Sequence, residues 1–472
     1  MNNGTPPSRR LAARRLASRG GTPPSRPART PALRRNLTLI RPNLGDYRSS
    51  DAMPPLAMGI LAARAAGWDV AFYDEKAEAL PKDDAPDLAA LSVETFTARR
   101  AYAIADGYRA RGVPVVMGGY HPTFLPDEAL QHADAVVVGD AEGVWEEVLA
   151  GRRGIVRGNN ERPLDDYRID RSIYEGKKYA PLELVQYGRG CRFACDFCSI
   201  HSFYGASIRA RPLDGLLQEI ATLPANRLLF FVDDNLFGRR SELLALLDAL
   251  APLNRRWFCQ ISIDVARDEA LLDRVAAAGC AGVLIGFESL SAASLAQMNK
   301  AWNSVSGSYA RVVRALHQRG IAIYGTFVLG YDADTPDTVE RTLDFALEAN
   351  LEIANFNPLT PMPGSALYER LLREGRLLKP HWWLDDGYRY GDAVFEPRGM
   401  RAEELAERVF DARRRFYSWS AIGRRLLGAS SLGLTIVANV ISRREIYKKQ
   451  GRALGAPPSR RLAARRLASG GA

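Results

Sequence analysis

Three of the five cysteines in the 472-residue chain lie within eight residues, at Cys191, Cys195 and Cys198. They directly follow an apolar segment that is typical of a strand. Their spacing is neither the two-cysteine spacing of thioredoxin-like redox sites nor the four-cysteine spacing of ferredoxins. Five cysteines clustered in this way do not resemble a disulfide framework, which favours a reducing compartment such as the cytoplasm. The cluster therefore indicates a metal centre with three thiolate ligands.

Two kinds of centre can be built from these residues. His201 could complete a Cys3His zinc site, but structural zinc usually takes ligand pairs from two separated segments, and here all four ligands would come from 11 residues. Three thiolates could instead hold three irons of a 4Fe-4S cluster and leave the fourth iron open to a small molecule. The second centre explains why this segment has no fourth cysteine. Cys259 and Cys280 have no neighbouring partner in the sequence and are predicted to be small core residues.

Residues 181–370 have an alternating pattern that would position the cysteine segment. Apolar runs predict six strands, and amphipathic segments such as residues 241–253 predict helices between them. The predicted strands are residues 181–187, 228–233, 257–263, 282–287, 321–329 and 353–359. Repeated βα units of about 30 residues predict a parallel barrel, or part of one, with functional residues at the carboxyl ends of its strands. The three cysteines follow the first of these ends.

Residues 36–150 form an earlier α/β block. Five apolar segments predict strands at 36–42, 69–74, 88–93, 113–119 and 133–139. Their alternation with helical segments predicts a doubly wound, Rossmann-like parallel sheet, in which ligands bind at the carboxyl ends of the strands. Ser92 and the pair Gly118 and Gly119 stand at two of these ends. Glycines at such positions let a ligand approach the backbone closely.

The basic charge of the chain is confined to its ends. The formal net charge is +10, but residues 1–35 carry nine arginines and residues 452–472 carry five, with no acidic residue in either segment. Without these charges the body of the chain has a net charge of about −4. The sequence PPSRRLAARRLAS occurs at 6–18 and again at 457–469. We therefore predict disordered basic tails over 1–35 and 451–472 and no specific nucleic-acid partner.

Two further segments complete the predicted organisation. Residues 151–180 are predicted to be a linker, and residues 371–450 a helical C-terminal region. The aromatic residues of 381–390 could line a site at the barrel mouth or simply belong to the core. The uncharged run 426–442 has 17 residues, which is short for a membrane-spanning helix, so a packed helix is favoured over an interfacial membrane anchor.

The cysteine motif and its position after the first barrel strand closely resemble the radical S-adenosylmethionine (SAM) superfamily. In that superfamily the open iron of the 4Fe-4S cluster binds the amino and carboxylate groups of SAM. Reductive cleavage of SAM then yields a 5′-deoxyadenosyl radical, with electrons from a donor such as flavodoxin or ferredoxin. The resemblance extends over about 190 residues and includes the segments FFVDDNLFG, LIGFES and GTFVLGYDADTPDTVERTLDFA.

The resemblance to radical SAM enzymes implies roles for five residues besides the cysteines. Phe197 matches the aromatic residue that packs beside the adenine of SAM. Asp233, Asp234 and Asn235 match the strand end that usually meets the methionyl amine. Glu288 matches a glutamate that commonly lies near SAM. Catalytic residues beyond the cluster are not implied.

The earlier block resembles the cobalamin-binding domain fused to one branch of radical SAM enzymes. In such domains a serine and a Gly-Gly pair line the corrin, and Ser92, Gly118 and Gly119 match them. The family's Asp-x-His-x-x-Gly segment, which supplies the lower cobalt ligand, is missing, and no histidine precedes His121. We therefore expect cobalt without a protein imidazole, and His121 in a loop or domain interface. A degenerate domain that binds no cobalamin is the alternative.

The pairing of the two blocks implies a function. The resemblance favours cobalamin-dependent methylation of an unactivated carbon in a small-molecule or lipid-like substrate. A non-methylating radical cyclase or rearrangement enzyme, of the porphyrin- or hopanoid-pathway type, is the alternative. A non-enzymatic protein that binds a cofactor or nucleic acid is a remote third. In the family the helical region after the barrel covers the barrel mouth and helps to select the substrate.

Overall fold

The computed structural model describes residues 34–45, 48–306, 308–427, 432–450 and 452. The predicted disordered tails lie outside the described residues, apart from Arg34, Arg35 and Arg452.

The first sheet has six parallel strands in the order β2-β1-β3-β4-β5-β6. Its strands are β1 (Arg35–Arg41), β2 (Trp68–Asp74), β3 (Leu88–Ser92), β4 (Val115–Gly118), β5 (Ala135–Val138) and β6 (Gly154–Arg157). The chain passes from β1 to β2 on one side of β1 and then to β3 on the other side. In doubly wound sheets, ligands bind at such a switch point. The predicted doubly wound sheet is confirmed.

The sixth strand corrects the expected end of this block. Residues 154–157 were assigned to the linker 151–180, yet they pair in parallel with β5. The segment Gly-Ile-Val-Arg has one buried residue, Val156, because it forms the edge of the sheet. Such a short and half-exposed strand lacks the continuous apolar run that identified the other strands.

The second sheet also has six parallel strands, in the order β7-β10-β11-β12-β13-β14. They are β7 (Leu182–Val185), β10 (Leu228–Phe231), β11 (Trp257–Ile261), β12 (Cys280–Glu288), β13 (Ala322–Leu329) and β14 (Ile353–Pro358). A short antiparallel pair, β8 (Gly188–Arg189) and β9 (Arg209–Ala210), brackets the cysteine segment. All six predicted strands are present, in chain order, as expected for a partial barrel.

Helices connect these strands and form the C-terminal region. In the N-terminal block they are α1 (Leu56–Ala63), α2 (Ala98–Arg109), α3 (Tyr120–Phe124), α4 (Pro126–Leu130) and α5 (Trp145–Leu149). In the second block they are α6 (Ser199–Tyr204), α7 (Leu213–Thr222), α8 (Arg240–Leu250), α9 (Glu269–Ala277), α10 (Ala292–Gln297), α11 (Tyr309–His317), α12 (Pro336–Glu348) and α13 (Ala366–Arg373). The C-terminal helices are α14 (Ala402–Phe416), α15 (Trp419–Leu426) and α16 (Leu432–Lys449).

The core of the second block lies between its sheet and the surrounding helices. Phe287, Phe327 and Phe356 on three adjacent strands stack with ring centroids 5.6 Å and 5.4 Å apart. Cys259 and Cys280 are buried in this core, as predicted. Among the described helices, none has both the length and the apolar composition required to cross a bilayer.

Candidate active site

The cysteine segment is fixed by two buried carboxylates at the end of β10. Asp233 Oδ2 accepts a hydrogen bond from the Tyr187 main-chain N–H at 3.0 Å, and its Oδ1 accepts one from Gly188. Asp234 Oδ2 accepts one from the Gly190 N–H at 2.8 Å. The chain is therefore held at three successive points directly before Cys191. This role is additional to the predicted contact of Asp233 and Asp234 with SAM, which stays a prediction.

The burial of Asp233 has an electrostatic consequence. Burial raises the pKa of the Asp233 carboxyl to about 7, although the two main-chain N–H donors oppose this change. Hydrogen bonds from main-chain donors replace part of the hydration that a buried carboxylate loses. Asp233 therefore changes charge close to neutral pH.

Asn235 is the member of the Asp-Asp-Asn segment that reaches the cysteines. Its Nδ2 lies 3.2 Å from Ser262 Oγ and 3.9 Å from Cys191 Sγ. Its Oδ1 is buried and has no hydrogen-bond partner among the described residues. A buried amide oxygen without a partner is costly unless a ligand donates to it. This orphaned acceptor fits the amino group of SAM, and the predicted contact of Asn235 with SAM stays a prediction.

The surroundings of the three cysteines fit an iron–sulfur cluster. All three are half-buried. Burial raises the pKa of Cys198. Main-chain hydrogen bonds from His201 and Ile200 oppose this change because they stabilise the thiolate. Within the described ranges, no three His, Cys, Asp or Glu side chains are arranged so that they could hold a single metal ion.

Glu288 forms a buried ion pair beside the cysteines. Its Oε1 accepts a hydrogen bond from Lys300 Nζ at 2.7 Å, and Lys300 also donates to the Gly286 carbonyl at 3.2 Å. Glu288 has a φ of 60°, which a residue with a side chain rarely adopts, at an irregularity in the pairing of β12 with β13. Burial raises the pKa of Cys195, and the Lys300 cation opposes this change. Sequence reasoning missed Lys300, because an isolated lysine in Met-Asn-Lys-Ala-Trp carries no motif.

A cavity of about 360 Å³ opens beside the third cysteine at the mouth of the partial barrel. Phe197, Cys198 and Ser199 form one wall, and residues at the carboxyl ends of β13 and β14 form another. Tyr388, Tyr390 and Arg413 from the C-terminal region and Phe96 from the N-terminal block complete it. Phe197 therefore lies where an adenine could stack on it, and its predicted role stays a prediction. Trp382 and Trp383 are buried in the core instead.

A larger cavity, of about 500 Å³, lies at the carboxyl ends of the first sheet. Ser92, Gly118 and Gly119 line it, together with Arg41 at the end of β1. Ser92 and Gly118 are direct neighbours in the pairing of β3 with β4. The predicted cobalamin residues thus meet at one surface, at the switch point between β1 and β3.

Two glycines keep the floor of the larger cavity clear. Gly119 has a φ of 106°, and a Cβ there would lie 2.8 Å from the Val93 carbonyl oxygen. At Gly118 a Cβ would make an ordinary contact, 3.7 Å from Val137. A flat macrocycle can therefore approach this backbone closely, which fits the corrin that the resemblance implies. Whether each residue contacts the corrin stays a prediction.

His121 does not line the larger cavity. Its ring is fully buried, with Nε2 2.9 Å from Tyr102 Oη and 3.1 Å from Glu128 Oε1. Trp383 Nε1 donates to the same Glu128 oxygen at 2.9 Å. Burial alone would raise the pKa of Glu128, but the hydrogen bonds from these three side chains lower it below its usual value. His121 therefore serves the contact between the N-terminal block and the C-terminal region, as expected.

A network of ion pairs joins the two blocks beside the larger cavity. Arg189, two residues before Cys191, contacts Glu142 Oε1 at 2.6 Å and Asp140 Oδ2 at 3.1 Å. Arg209 contacts the same Asp140 oxygen at 2.7 Å. Sequence reasoning missed this network, because the two arginines lie in the second block and their partners in the first.

Two family models match this chain. The model of the radical SAM superfamily matches residues 185–346, and that of the B12 binding domain matches residues 51–149. The chain is 33% identical over 392 residues to bacteriochlorophyllide d C-12(1)-methyltransferase of Chlorobaculum tepidum, covering 79% of this chain and 85% of that protein. It is 29% identical over 323 residues to bacteriochlorophyllide d C-8(2)-methyltransferase of the same organism, covering 63% and 70%.

A solved structure shares the fold. The radical SAM methyltransferase TsrM of Kitasatospora setae, with cobalamin and a [4Fe-4S] cluster bound, aligns with a TM-score of 0.58 at 19% identity, over 80% of this chain and 85% of that chain. Both relatives by sequence are named as methyltransferases, so the non-methylating cyclase is the weaker alternative. The chain therefore belongs to the radical SAM superfamily, in the branch with a B12-binding domain, and is a radical SAM methyltransferase that uses a 4Fe-4S cluster, SAM and cobalamin.

Proposed function

We propose that this enzyme methylates an unactivated carbon of a chlorin-type tetrapyrrole. The observation that carries this proposal is the cavity beside Cys198, which has aromatic walls at Phe96, Tyr388 and Tyr390. Flat aromatic side chains suit a flat conjugated macrocycle, because ring faces gain from stacking as well as from burial. The names of the two bacteriochlorophyllide methyltransferases support the same class of substrate.

We infer the roles of the site residues from where they lie. Cys191, Cys195 and Cys198 would hold the cluster, and Asn235 Oδ1 would accept a hydrogen bond from the SAM amine. Phe197 would pack on the adenine. The cluster with SAM supplies an adenosyl radical for hydrogen abstraction, and cobalamin supplies methyl-transfer chemistry. The chain's own residues position these groups and exclude water from them.

The larger cavity is the proposed cobalamin site. Ser92, Gly118 and Gly119 would lie against the corrin, and no histidine of the described residues lines this cavity. We retain the proposed domain limits of 36–150 for the cobalamin-binding-like domain and 181–370 for the barrel, with β6 added to the former. An electron donor such as flavodoxin or ferredoxin and a cytoplasmic location are part of the proposal, supported by the free cysteines.

The proposal is tested with a panel of candidate substrates under anaerobic conditions. Reconstituted enzyme, dithionite and SAM with a trideuterated methyl group are incubated with bacteriochlorophyllide d, with protoporphyrin IX or with a hopanoid. The expected result is a trideuterated methyl group on the chlorin alone, detected by mass spectrometry. Methylation of the hopanoid and not of the chlorin would contradict the proposed substrate class while leaving the reaction type intact.

A further inference from the structure

Arg413 on α14 is a buried cation at the wall of the active-site cavity. Its side chain is 2% exposed, and it lines the same cavity as Cys198. Its Nε donates to the Phe356 carbonyl at 2.6 Å and its Nη2 to Asn357 Oδ1 at 3.2 Å. Both acceptors are neutral.

The charge of Arg413 has no counterion in the described structure. No carboxylate forms an ion pair with it there, and the guanidinium instead lies 5.7 Å from the centroid of the Tyr390 ring. Burial lowers the pKa of Arg413. Other arginines of α14 differ in this respect, since Arg414 pairs with Asp411 and Arg415 with Glu340. A buried charge without a partner is costly, and a ligand anion would remove that cost.

We infer that Arg413 binds a carboxylate of the substrate and so fixes the distance between that carboxylate and the reacting carbon. The inference rests on the proposed function for the nature of the ring system. A chlorophyllide carries a free propionate because it lacks the esterifying alcohol of a chlorophyll, so it presents the anion that this site requires. Planar guanidinium groups recognise carboxylates through paired hydrogen bonds.

The test compares bacteriochlorophyllide d with its propionate methyl ester, by titration of each into the reconstituted wild-type enzyme. The acid is expected to bind about 10- to 100-fold more tightly than the ester, because the ester cannot form the charge-assisted hydrogen bond. Arg413→Gln should remove this preference, Arg413→Lys should keep part of it, and Arg415→Gln on the same helix should keep all of it. The wild-type comparison needs no variant and does not depend on folding of Arg413→Gln.

Equal affinities for acid and ester, or no binding of either, would overturn the inference. A loss of SAM affinity in Arg413→Gln as large as its loss of chlorin affinity would assign the anion to SAM and also overturn it. Failure of the proposed function is read separately, as the absence of a methylated product from a chlorin that does bind.

An independent observation concerns the surface of α15 and α16. Five large apolar side chains are exposed there and define a C-terminal apolar patch: Trp419, Leu427, Ile436, Val437 and Val440. The Arg443 guanidinium lies 5.0 Å from the Trp419 ring, so the exposed faces of the two helices adjoin. Residues 418–452 contain seven Arg or Lys, of which Arg425 is buried and Lys448 and Lys449 pair with carboxylates, and one acidic residue, Glu445, which is buried.

We also propose that the C-terminal apolar patch docks on the surface of an anionic lipid bilayer. Apolar side chains with a tryptophan, surrounded by basic residues, are typical of helices that lie in the bilayer interface. Charge favours the bilayer over two other possible occupants of the patch, which are a second copy of the chain and the chain's own terminal segments. A second copy would bring the same basic surface, and the terminal segments carry arginines without acidic residues, so both would be repelled.

Co-sedimentation of the full chain with vesicles tests this surface. Vesicles of phosphatidylcholine with phosphatidylglycerol should bind the wild type, and phosphatidylcholine alone should bind it weakly. The double substitution Trp419→Ser and Val437→Ser should lower the affinity at least about tenfold, because two apolar side chains no longer enter the interface. Leu378→Ser, which removes an exposed apolar residue elsewhere, is the control. Unchanged binding by the double variant would overturn the proposal and assign vesicle binding to the basic termini.

Discussion

Arg189 Nη1 lies 3.1 Å from Asp140 Oδ2, and this contact joins the strand end of the cobalamin-binding domain to the residues that precede the cysteine segment. Both side chains are buried, at 7% and 11% exposure. Burial would lower the pKa of Arg189, but Glu142 and Asp140 raise it overall. This contact therefore joins the two blocks at the wall of the larger cavity.

Arg189→Met should destabilise the protein strongly. The substitution leaves Asp140 and Glu142 buried near the interface without this cation, and breaking a buried ion pair costs about 3 to 5 kcal/mol. Arg168→Met is the matched control, because Arg168 is exposed and pairs with the partly exposed Asp166. It should change the free energy of unfolding by less than about 1 kcal/mol in denaturant titrations. Equal effects of the two substitutions would contradict the importance of the buried contact.

The three cysteines of the loop should be required for iron and the two core cysteines should not. Cys191→Ala, Cys195→Ala and Cys198→Ala are each expected to lose most iron and all SAM cleavage, because each removes one cluster ligand. Cys259→Ala and Cys280→Ala should retain both, since these thiols are buried in the barrel core. Iron analysis and 5′-deoxyadenosine production measure the two properties. A wild type that binds zinc in place of iron would contradict the cluster assignment.

His121→Ala should change stability and not the cobalamin spectrum. The substitution removes a fully buried ring and one hydrogen bond to Glu128, at a cost of about 1 to 3 kcal/mol. The absorption spectrum should show cobalamin with neither its own base nor histidine on cobalt, before and after the substitution. His381→Ala, at an exposed position, should affect neither property. A spectrum that changes in His121→Ala alone would show that this imidazole ligates cobalt.

Asp233→Asn should flatten the pH dependence of stability near neutral pH. Burial raises the pKa of Asp233 from 3.8 to about 7, so between these values the folded protein binds a proton that the unfolded chain does not. The contribution of Asp233 therefore falls as pH rises through this window and is constant above it. The melting temperature of Asp233→Asn should change less between about pH 5 and pH 7 than that of the wild type. The exposed substitution Asp337→Asn should retain the wild-type dependence.

The fold was predictable because parallel strands buried on both faces have continuous apolar sequences. Ala-Val-Val-Val at 135–138 and Leu-Leu-Phe-Phe at 228–231 are examples, and both lie in the interior of their sheets. The edge strand β6 escaped detection because only one of its four residues, Val156, is buried. The three cysteines could be proposed as cluster ligands from the sequence because their spacing carries information within eight residues.

The remaining site residues depend on contacts that no local pattern encodes. Lys300 and Glu288 are 12 residues apart, and Arg413 meets the cavity 215 positions after Cys198. Each is an ordinary charged residue in its own segment. Only the packing of α14 against β14 places Arg413 at the cavity wall, and only the irregular end of β12 turns Glu288 toward Lys300.

The most direct test of cooperation between the two cofactor sites uses Gly118→Trp. Gly118 lines the larger cavity and a Cβ there would make only an ordinary contact with Val137, whereas Gly119 is less suitable because any Cβ there strains the backbone. With trideuterated SAM and bacteriochlorophyllide d, the wild type should form both 5′-deoxyadenosine and the trideuteromethylated chlorin. Gly118→Trp should keep its iron and its SAM cleavage but lose cobalamin and the methylated product. Undiminished methylation by a Gly118→Trp enzyme that holds no cobalamin would contradict the account.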